Sequence, residues 1–408
     1  MRILVTGAAG FIASRVAQML AQRGDTVVGV DNINDYYDVR LKYARLRELL
    51  GIEPENLYNQ KNIKKIEESS VTDSDSTMLT PQSACMQASR QTNDSPCSTD
   101  AKNQCLSDDS STKNTKNIFS DGQAYQSTKY ANLRFVKLSI DDKEAVDRLF
   151  EETKFDVVVN LAAQAGVRYS ITHPYTYMQS NLVGFLNILE ACRNNNVPKL
   201  VFASSSSVYG LNEKVPYNEE DKVDSPVSLY AASKKSNELM AHCYSKLYGF
   251  QTIGLRYFTV YGPWGRPDMS PMLFANALKE DMPIKVFNNG DMIRDFTYID
   301  DIAEGTIRAI DHTLDVEKCE HGVPYKIYNI GCSHPVKLMD FISEMEQAYG
   351  KEAKKEFLPM QAGDVYQTNA DCTRLEEEMG YKPKVRLHEG IQNFMTWFKE
   401  FYSVNSEK

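Results

Sequence analysis

The chain has 408 residues and a formal net charge of −9, because 46 Lys and Arg stand against 55 Asp and Glu. Its length predicts two domains, or one large domain with additions. Binding to nucleic acid or to an anionic membrane surface needs clustered Lys and Arg, so the acidic balance argues against both partners. No apolar stretch reaches the ~18 residues that a transmembrane helix needs. The eight cysteines include no CxxC pair, which predicts free thiols in a reducing compartment, the cytoplasm, and no metal site.

The first 30 residues predict a strand, a turn, a helix and a second strand. Arg2–Thr6 is rich in β-branched residues and Leu, Phe11–Arg23 carries apolar residues at helical spacing, and Thr26–Val30 is again strand-like. Such a unit predicts a parallel sheet with right-handed crossovers.

A polar segment from about Gln60 to about Lys129 interrupts this pattern. It is rich in Ser, Thr, Asn, Asp and Lys and has few aromatic residues. Because it offers too little apolar surface to offset the entropy of ordering it, we predict a flexible insertion over about residues 60–130.

After the insertion, strand-like and helix-like segments alternate as far as Arg256. The predicted strands are Leu133–Leu138, Asp156–Leu161, Lys199–Ser204 and Thr252–Arg256, and the predicted helices are Lys143–Glu152, Asn181–Asn195 and Leu229–Tyr248. The alternation predicts an α/β fold with a Rossmann-type, doubly wound parallel sheet over residues 1–258. Beyond Tyr261 shorter mixed elements predict a smaller C-terminal α/β lobe that binds substrate, over residues 259–402, with some chain crossing between the lobes.

The turn after the first strand has the pattern of a dinucleotide site. Gly7 permits a tight turn, Gly10 lets a pyrophosphate approach the helix N-terminus, and Ala13 stands where a third Gly would pack helix on strand. Asp31 ends the second strand, where a carboxylate accepts from both ribose hydroxyls and repels a 2′-phosphate. The pattern therefore favours NAD over NADP.

Two further motifs predict proton-transfer chemistry. Tyr230 and Lys234 are four residues apart, on one face of a predicted helix, where a cation would stabilise a phenolate. The serine run Ser204–Ser207 follows a predicted buried strand, at the edge of the sheet where ligands bind. We expect the phenol to act as a base toward a substrate hydroxyl.

Seven motifs in this order identify a resemblance to a known family. They are GAAGFIA, LAAQAGVRYS, SSSSVYG, YAASK, FTVYGPWGRPDM, RDFTYIDD and YNIG. The chain resembles the extended short-chain dehydrogenase/reductase family, and within it nucleotide-sugar 4-epimerases of the UDP-glucuronate type. The resemblance covers residues 1–58 and 130–402.

The resemblance implies roles for the catalytic residues and a set of cofactor contacts. Tyr230 would be the general base toward the C4 hydroxyl, Lys234 would lower its pKa and hold the nicotinamide ribose, and Ser205 would be the catalytic hydroxyl with Ser207 as its helper. The implied NAD contacts are Gly7, Gly10, Phe11, Ile12, Asp31, Asn32, Ile140, Leu161, Ala162, Ala163, Tyr230 and Lys234. Ser139 stands before Ile140 where the family usually has Asp.

The substrate end differs from other branches of this family. Thr259 stands where UDP-glucose epimerases have Asn, and Arg266 could bind a carboxylate through a fork of donors. Both features fit a uronic acid, although Arg266 could instead pair with Asp268. The family's decarboxylases and dehydratases carry an acid in the loop that here reads Ser205–Ser207, which favours simple epimerisation.

Three more residues are expected to bind the UDP-sugar. Arg294 matches a family position that binds UDP, and Asp364 one that meets the uridine ribose. Gln361 replaces a second family arginine near Asp364, so that contact with the phosphates would be neutral. Arg168 is a candidate near the sugar, or an exposed cation at a helix start.

The predicted function is NAD-dependent 4-epimerisation of UDP-glucuronate to UDP-galacturonate through a transient 4-keto sugar. The alternatives are a UDP-glucose or UDP-N-acetylglucosamine 4-epimerase, a UDP-glucuronate decarboxylase or nucleotide-sugar dehydratase, and a non-catalytic nucleotide-sugar sensor. The resemblance also implies a homodimer, formed by the helices at Tyr177–Asn195 and Leu229–Tyr248.

Overall fold

The structure, a computed structural model, describes residues 1–51, 120–361 and 364–404, with side chains as far as residue 402. In these parts of the chain the strands are β1 (Arg2–Thr6), β2 (Thr26–Asp31), β3 (Ala124–Gln126), β4 (Leu133–Lys137), β5 (Val157–Asn160), β6 (Lys199–Ser205), β7 (Gln251–Tyr257), β8 (Thr259–Tyr261), β9 (Ile284–Val286), β10 (Ile293–Tyr298), β11 (Tyr325–Ile330), β12 (Pro335–Lys337) and β13 (Lys355–Phe357).

The α-helices alternate with these strands. They are α1 (Phe11–Arg23), α2 (Val39–Leu50), α3 (Lys143–Glu152), α4 (Tyr169–Thr172), α5 (Pro174–Tyr177), α6 (Gly184–Asn194), α7 (Leu229–Tyr248), α8 (Ser270–Glu280), α9 (Ile299–Asp311), α10 (Leu338–Tyr349), α11 (Thr373–Met379) and α12 (Leu387–Val404). Among the described residues, no helix is both long enough and apolar enough to cross a bilayer.

The main sheet confirms the predicted α/β, doubly wound architecture. Its strand order is β11-β7-β6-β5-β1-β2-β4-β3, and every pair is parallel except β3 with β4. Val5, Val159 and Val201 lie side by side at its centre and are fully buried. The chain leaves β1 toward one edge and returns at β5 toward the other, which opens a crevice at their carboxyl ends.

The first helix follows from local sequence. Gly10 precedes it in an extended conformation, and Gly24 ends it at φ 100° with its N–H bonded to the carbonyls of Ala21 and Leu20. Glycine adopts this left-handed conformation without steric cost. The predicted limits of β1 and α1 are therefore confirmed.

The remaining strands form two small sheets. One has the order β12-β10-β8 and the other pairs β13 with β9. Phe296 of β10 stacks on Phe341 of α10 with ring centroids 4.0 Å apart, inside an aromatic cluster that includes Tyr261. β11 returns to the main sheet beside β7. The division into lobes at residue 258 stays a prediction.

Three expectations about local structure need correction. The predicted insertion ends too late, because residues 120–130 contain β3 and buried Ser127, whose hydroxyl donates to the carbonyl of Leu49. Helix α2 was not expected. The helix predicted from Asn181 begins instead as a π-helical turn, Met178–Val183. The rest of the predicted insertion, residues 60–119, lies outside the described residues.

Candidate active site

One cavity of about 1280 Å³ lies at the carboxyl ends of the central strands. Every residue that the sequence analysis assigned to catalysis, cofactor or substrate lines it: Gly7, Gly10, Phe11, Ile12, Asp31, Asn32, Ile140, Leu161, Ala162, Ala163, Arg168, Ser205, Ser207, Tyr230, Lys234, Thr259, Arg266, Arg294 and Asp364. The fold thus brings together residues from the whole described chain, although their individual roles stay predictions.

The nucleotide end of the cavity is built by the turn between β1 and α1. Gly7 has φ 75°, and a Cβ there would lie 3.0 Å from the backbone nitrogen of Ala162. A Cβ on Gly10 would lie 2.8 Å from the carbonyl oxygen of Gly7. No side chain caps α1, and its first turn holds no acid. The open N–H groups at this helix start fit the pyrophosphate of a dinucleotide.

Asp31 is held in a fixed orientation at the same end. One carboxylate oxygen accepts from the N–H of Ala9 at 3.1 Å, and the other accepts from the N–H of Ile33 at 2.7 Å. Next to it, the Asn32 amide donates to the Ser139 hydroxyl at 3.1 Å. A carboxylate fixed in this way, with lone pairs remaining, suits the two hydroxyls of a ribose.

Tyr230 and Lys234 lie at the catalytic end, one turn apart on α7. Ser228 caps this helix, since its hydroxyl accepts from the N–H of Ala231 at 3.1 Å. Lys234 is buried, and its Nζ donates to the carbonyl of Ala203 at 2.8 Å. Burial lowers the pKa of Lys234 to about 8, because it disfavours the charged form.

Groups around the Tyr230 phenol shift its pKa in opposite directions. Burial is the largest effect and raises its pKa, as does the carboxylate of Asp268, while the neighbouring Ser205 hydroxyl and the cation of Arg266 lower it. The groups that favour the phenolate are therefore Ser205 and Arg266. The effect of Lys234 on this pKa stays a prediction, and its ammonium donates to the backbone of β6.

The serines of the run Ser204–Ser207 have different hydrogen-bond partners. The Ser204 hydroxyl donates to buried Glu238 at 2.6 Å, and Glu238 in turn pairs with Arg256. Ser205 accepts from the hydroxyl of Ser207 at 3.0 Å and from its N–H at 3.2 Å. Ser205 thus accepts two hydrogen bonds from Ser207, and it lowers the pKa of the neighbouring Tyr230 phenol.

Beyond Tyr230 the cavity is lined by an ion pair between Arg266 and Asp268. Arg266 donates through Nε and Nη2 to the two oxygens of Asp268, at 3.1 and 2.5 Å. Tyr36 donates to the same carboxylate at 3.1 Å. The pairing that the sequence left open is therefore present. Thr259, at the start of β8, faces the same cavity.

The far wall carries the remaining predicted substrate residues. Arg294 donates to the carbonyls of Tyr366 and Val365 at 2.9 and 2.6 Å, and burial lowers its pKa. Arg168 is exposed at the start of α4, as one of the two sequence expectations held, and it donates to Asp364 at 3.3 Å, so that these two residues form an ion pair at the cavity. Both arginines lie in reach of an anion that enters this part of the cavity.

Sequence reasoning missed Asn181, in the π-helical turn. Its buried amide accepts from the N–H of Gln164 at 2.8 Å and donates to the Gln164 carbonyl and to the Ser233 hydroxyl, both at 3.0 Å. It thus fixes the segment after β5 against α7, beside Tyr230. Helical periodicity could not reveal this role, because the contacts join residues that are 17 and 52 positions apart.

Comparison with known proteins agrees with this geometry. The family model described as the NAD dependent epimerase/dehydratase family matches residues 3–79 and 101–331. The chain belongs to this family. The match also extends into the segment that the sequence resemblance had left out.

Curated relatives of the chain include two that align along nearly all of it. Protein CapI of Staphylococcus aureus is 39% identical over 98% of this chain and 99% of that protein. UDP-glucuronate 4-epimerase 4 of Arabidopsis thaliana is 37% identical over 98% of this chain and 76% of that protein.

A solved structure matches over its whole length. The UDP-glucuronic acid 4-epimerase from Bacillus cereus, in complex with UDP-glucuronic acid and NAD, is 29% identical with a TM-score of 0.70. The alignment covers 98% of this chain and 100% of that one. The predicted resemblance and the predicted cofactor class are therefore confirmed.

Proposed function

We propose that this protein interconverts UDP-glucuronate and UDP-galacturonate by epimerisation at C4, with NAD retained in the site. The observation that carries the proposal is that Tyr230 shares one cavity with a glycine turn of dinucleotide-binding type and with Ser205 and Arg266, which both lower its pKa. The names of the relatives and of the structural neighbour support the choice of a uronic acid.

In the proposed mechanism the chain's own residues move protons and position the sugar. When bound, NAD accepts and returns the hydrogen of C4 as hydride. Tyr230 takes the proton of the C4 hydroxyl as the C–O bond becomes a ketone, and Ser205 donates to the ketone oxygen. After the 4-keto sugar turns over, so that C4 would receive the hydride on its opposite face, Tyr230 returns the proton to O4. Because the hydride and the proton that leave the sugar both return to it, the reaction has no net redox change and needs no external oxidant.

The other end of the substrate would be held by cations. We assign the diphosphate to Arg294 and the uridine ribose to Asp364, with Arg168 beside the sugar and Thr259 beside the C6 group. Arg266 keeps further N–H donors beyond the two that bind Asp268, because a guanidinium has five. A uronate carboxylate can therefore share Arg266 with Asp268.

The pairing of Arg266 with Asp268 also favours a second candidate, a 4-epimerase of neutral UDP-hexoses. An arginine whose charge is already balanced attracts a substrate carboxylate less strongly. Comparing kcat/KM for UDP-glucuronate and UDP-glucose distinguishes the two candidates. Decarboxylation or dehydration would appear as loss of CO₂ or water, and a sensor would bind without turnover.

The first test is proton NMR of the purified protein with UDP-glucuronate and no added cofactor. We expect anomeric signals of UDP-galacturonate that reach a constant ratio. Tyr230→Phe removes the base and should lower kcat by at least roughly a hundredfold while NAD stays bound. Tyr244→Phe, at a half-buried tyrosine of α7 bonded to Glu190 outside the cavity, is the control and should keep wild-type turnover. Full activity in Tyr230→Phe would rule out the mechanism.

We also propose that the protein acts as a homodimer in the cytoplasm. Helix α7 exposes a stripe at Leu239, Cys243 and Leu247, each four residues apart, and exposed Val183 and Leu186 lie on the neighbouring π-helical turn and α6. Unpaired thiols support a reducing compartment. The cysteines in the described residues are all free: Cys192, Cys243, Cys319, Cys332 and Cys372.

A further inference from the structure

Arg45 of α2 is a buried cation whose surroundings are unusual. Its side chain is about 2% exposed. Within the described parts of the chain, its hydrogen bonds go to neutral oxygens only: the carbonyls of Ala9, Trp264 and Gly265 and the hydroxyl of Tyr37. Burying a charge costs free energy unless it is both hydrogen-bonded and paired with an opposite charge. Arg45 has the hydrogen bonds but, among the described residues, no carboxylate partner, so this arrangement calls for a function.

Two of the acceptors of Arg45 belong to chain segments whose neighbouring residues line the active-site cavity. Nη1 donates to the carbonyl of Ala9 at 3.0 Å, in the glycine turn that faces the dinucleotide. Nε and Nη2 donate to the carbonyl of Trp264 at 3.1 and 2.7 Å. Trp264 stands two residues before Arg266. One guanidinium thus joins the nucleotide turn to the loop that carries the arginine beside Tyr230.

The conformation of this loop depends on such a link. Trp264 has φ 66°, a left-handed conformation that a bulky side chain adopts at a steric cost. It accepts two of the Arg45 bonds through its carbonyl, which compensates that cost. Gly265 donates to the carbonyl of Gly262 at 3.1 Å and closes the turn.

We propose that Arg45 is a positioning residue that couples the occupied nucleotide turn to the placement of Arg266 toward the C6 group of the sugar. The assignment of that group as a carboxylate rests on the proposed function. A pyrophosphate at the glycine turn adds negative charge to a region whose buried cation has neutral acceptors only, so cofactor binding and the loop conformation stabilise each other.

The test compares Arg45→Lys with Arg15→Met as the matched control. Lysine keeps the charge but cannot bond both Ala9 and Trp264. Arg15 lines the same small second cavity as Arg45 and pairs with Asp300, away from the glycine turn. Calorimetry on the NAD-loaded proteins measures the affinities for UDP-glucuronate and UDP-glucose. Tryptophan emission reports the loop directly, because the two tryptophans, Trp264 and Trp397, are in contact with ring centroids 5.2 Å apart.

We expect Arg45→Lys to weaken UDP-glucuronate binding about tenfold, with UDP-glucose affected less than about threefold, and to shift the tryptophan emission. Arg15→Met should leave both affinities and the tryptophan emission unchanged. Wild-type affinities in Arg45→Lys, or equal losses for both sugars, would overturn the proposal. Arg45→Met, if it folds, should give a larger loss in the same direction, and a smaller loss would contradict it.

A failure of the proposed function is recognised separately, by wild-type protein that epimerises no UDP-glucuronate. The coupling is then judged from nucleotide-free protein to which NAD is added, with tryptophan emission as the readout. If NAD changes the tryptophan emission of the wild-type protein and of Arg15→Met but not that of Arg45→Lys, the coupling is supported. A change that Arg45→Lys retains overturns it.

Discussion

Lys234 combines a role in the proposed reaction with a cost in stability. Burial lowers its pKa from 10.5 to about 8, which corresponds to about 3 kcal/mol of destabilisation when the ammonium is charged. Its bond to the Ala203 carbonyl returns about 1 kcal/mol of this. Such a trade of stability for activity is common at active sites.

We therefore expect Lys234→Met, without cofactor at pH 7, to be about 1–2 kcal/mol more stable than wild type and almost inactive. Between pH 8 and 10.5 the native lysine binds fewer protons than the unfolded one, so wild-type stability rises relative to the variant. Urea unfolding at several pH values measures this. Lys246→Met, at an exposed position of the same helix, should show no such pH dependence. A variant less stable than wild type at pH 7 would disprove the expectation.

Thr259 is the residue that best separates the two candidate substrates. A shorter hydroxyl leaves room for a carboxylate at C6, whereas an asparagine fills that space. Thr259→Asn should raise the ratio of kcat/KM for UDP-glucose over UDP-glucuronate by about tenfold, equivalent to about 1.4 kcal/mol. Thr259→Ser keeps the hydroxyl and serves as the control. An unchanged ratio in Thr259→Asn would remove this residue from substrate selection.

At the scale of elements, the sequence predicted what short-range patterns determine. The limits of β1, α1 and α7 agree with the structure because apolar spacing, a glycine turn and a serine cap act within a few residues. Residues 120–130 look polar, yet β3 is held by pairing with β4 and by Ser127, which are contacts across the chain. A pattern read along the sequence cannot show such contacts.

The turn between β1 and α1 offers a sharp test at this scale. Gly7→Ala would meet the backbone of Ala162 at 3.0 Å and strain a left-handed conformation. Gly24→Ala has the same kind of backbone strain, at φ 100°, but meets nothing within 4 Å. Each should lose about 1–2 kcal/mol of stability, measured by thermal unfolding. Gly7→Ala should in addition lose most of its bound NAD, measured by release of nucleotide from denatured protein. Equal NAD content in the two variants would contradict the assignment of the turn.

At the scale of the whole molecule, the cavity depends on contacts that no motif contains. The motifs predicted which residues line it, because those after β1, β5, β6 and β7 stand at the carboxyl ends of parallel strands, which lie at the same edge of the sheet. The sequence left the pairing of Arg266 with Asp268 open, because two residues so close along the chain can pair or face a ligand. It could not show that Arg168 binds Asp364, or that Arg45 joins the glycine turn to the loop before Arg266. These last two contacts need the three-dimensional packing of distant segments.

The proposed homodimer is a property of the whole molecule, and the exposed surface of α7 supports it. Leu239 and Leu247 are 60% and 64% exposed on α7, one stripe of a helix whose opposite face carries Lys234 and Glu238 into the protein. An apolar stripe of this kind is typical of a surface that a partner covers. Burying it against a second copy would also fix the helix that positions Tyr230.

Leu239→Glu should therefore shift the protein from dimer to monomer, because two carboxylates would face each other across a two-fold axis. Light scattering behind size-exclusion chromatography measures the mass, and turnover should fall with it as α7 loses its support. Leu211→Glu is the control, since Leu211 is 70% exposed on a different element. A wild-type protein that is monomeric, or a Leu239→Glu variant that stays dimeric, would show that this stripe is not the interface. A monomeric Leu239→Glu variant with full activity would show that dimerisation does not support the catalytic helix.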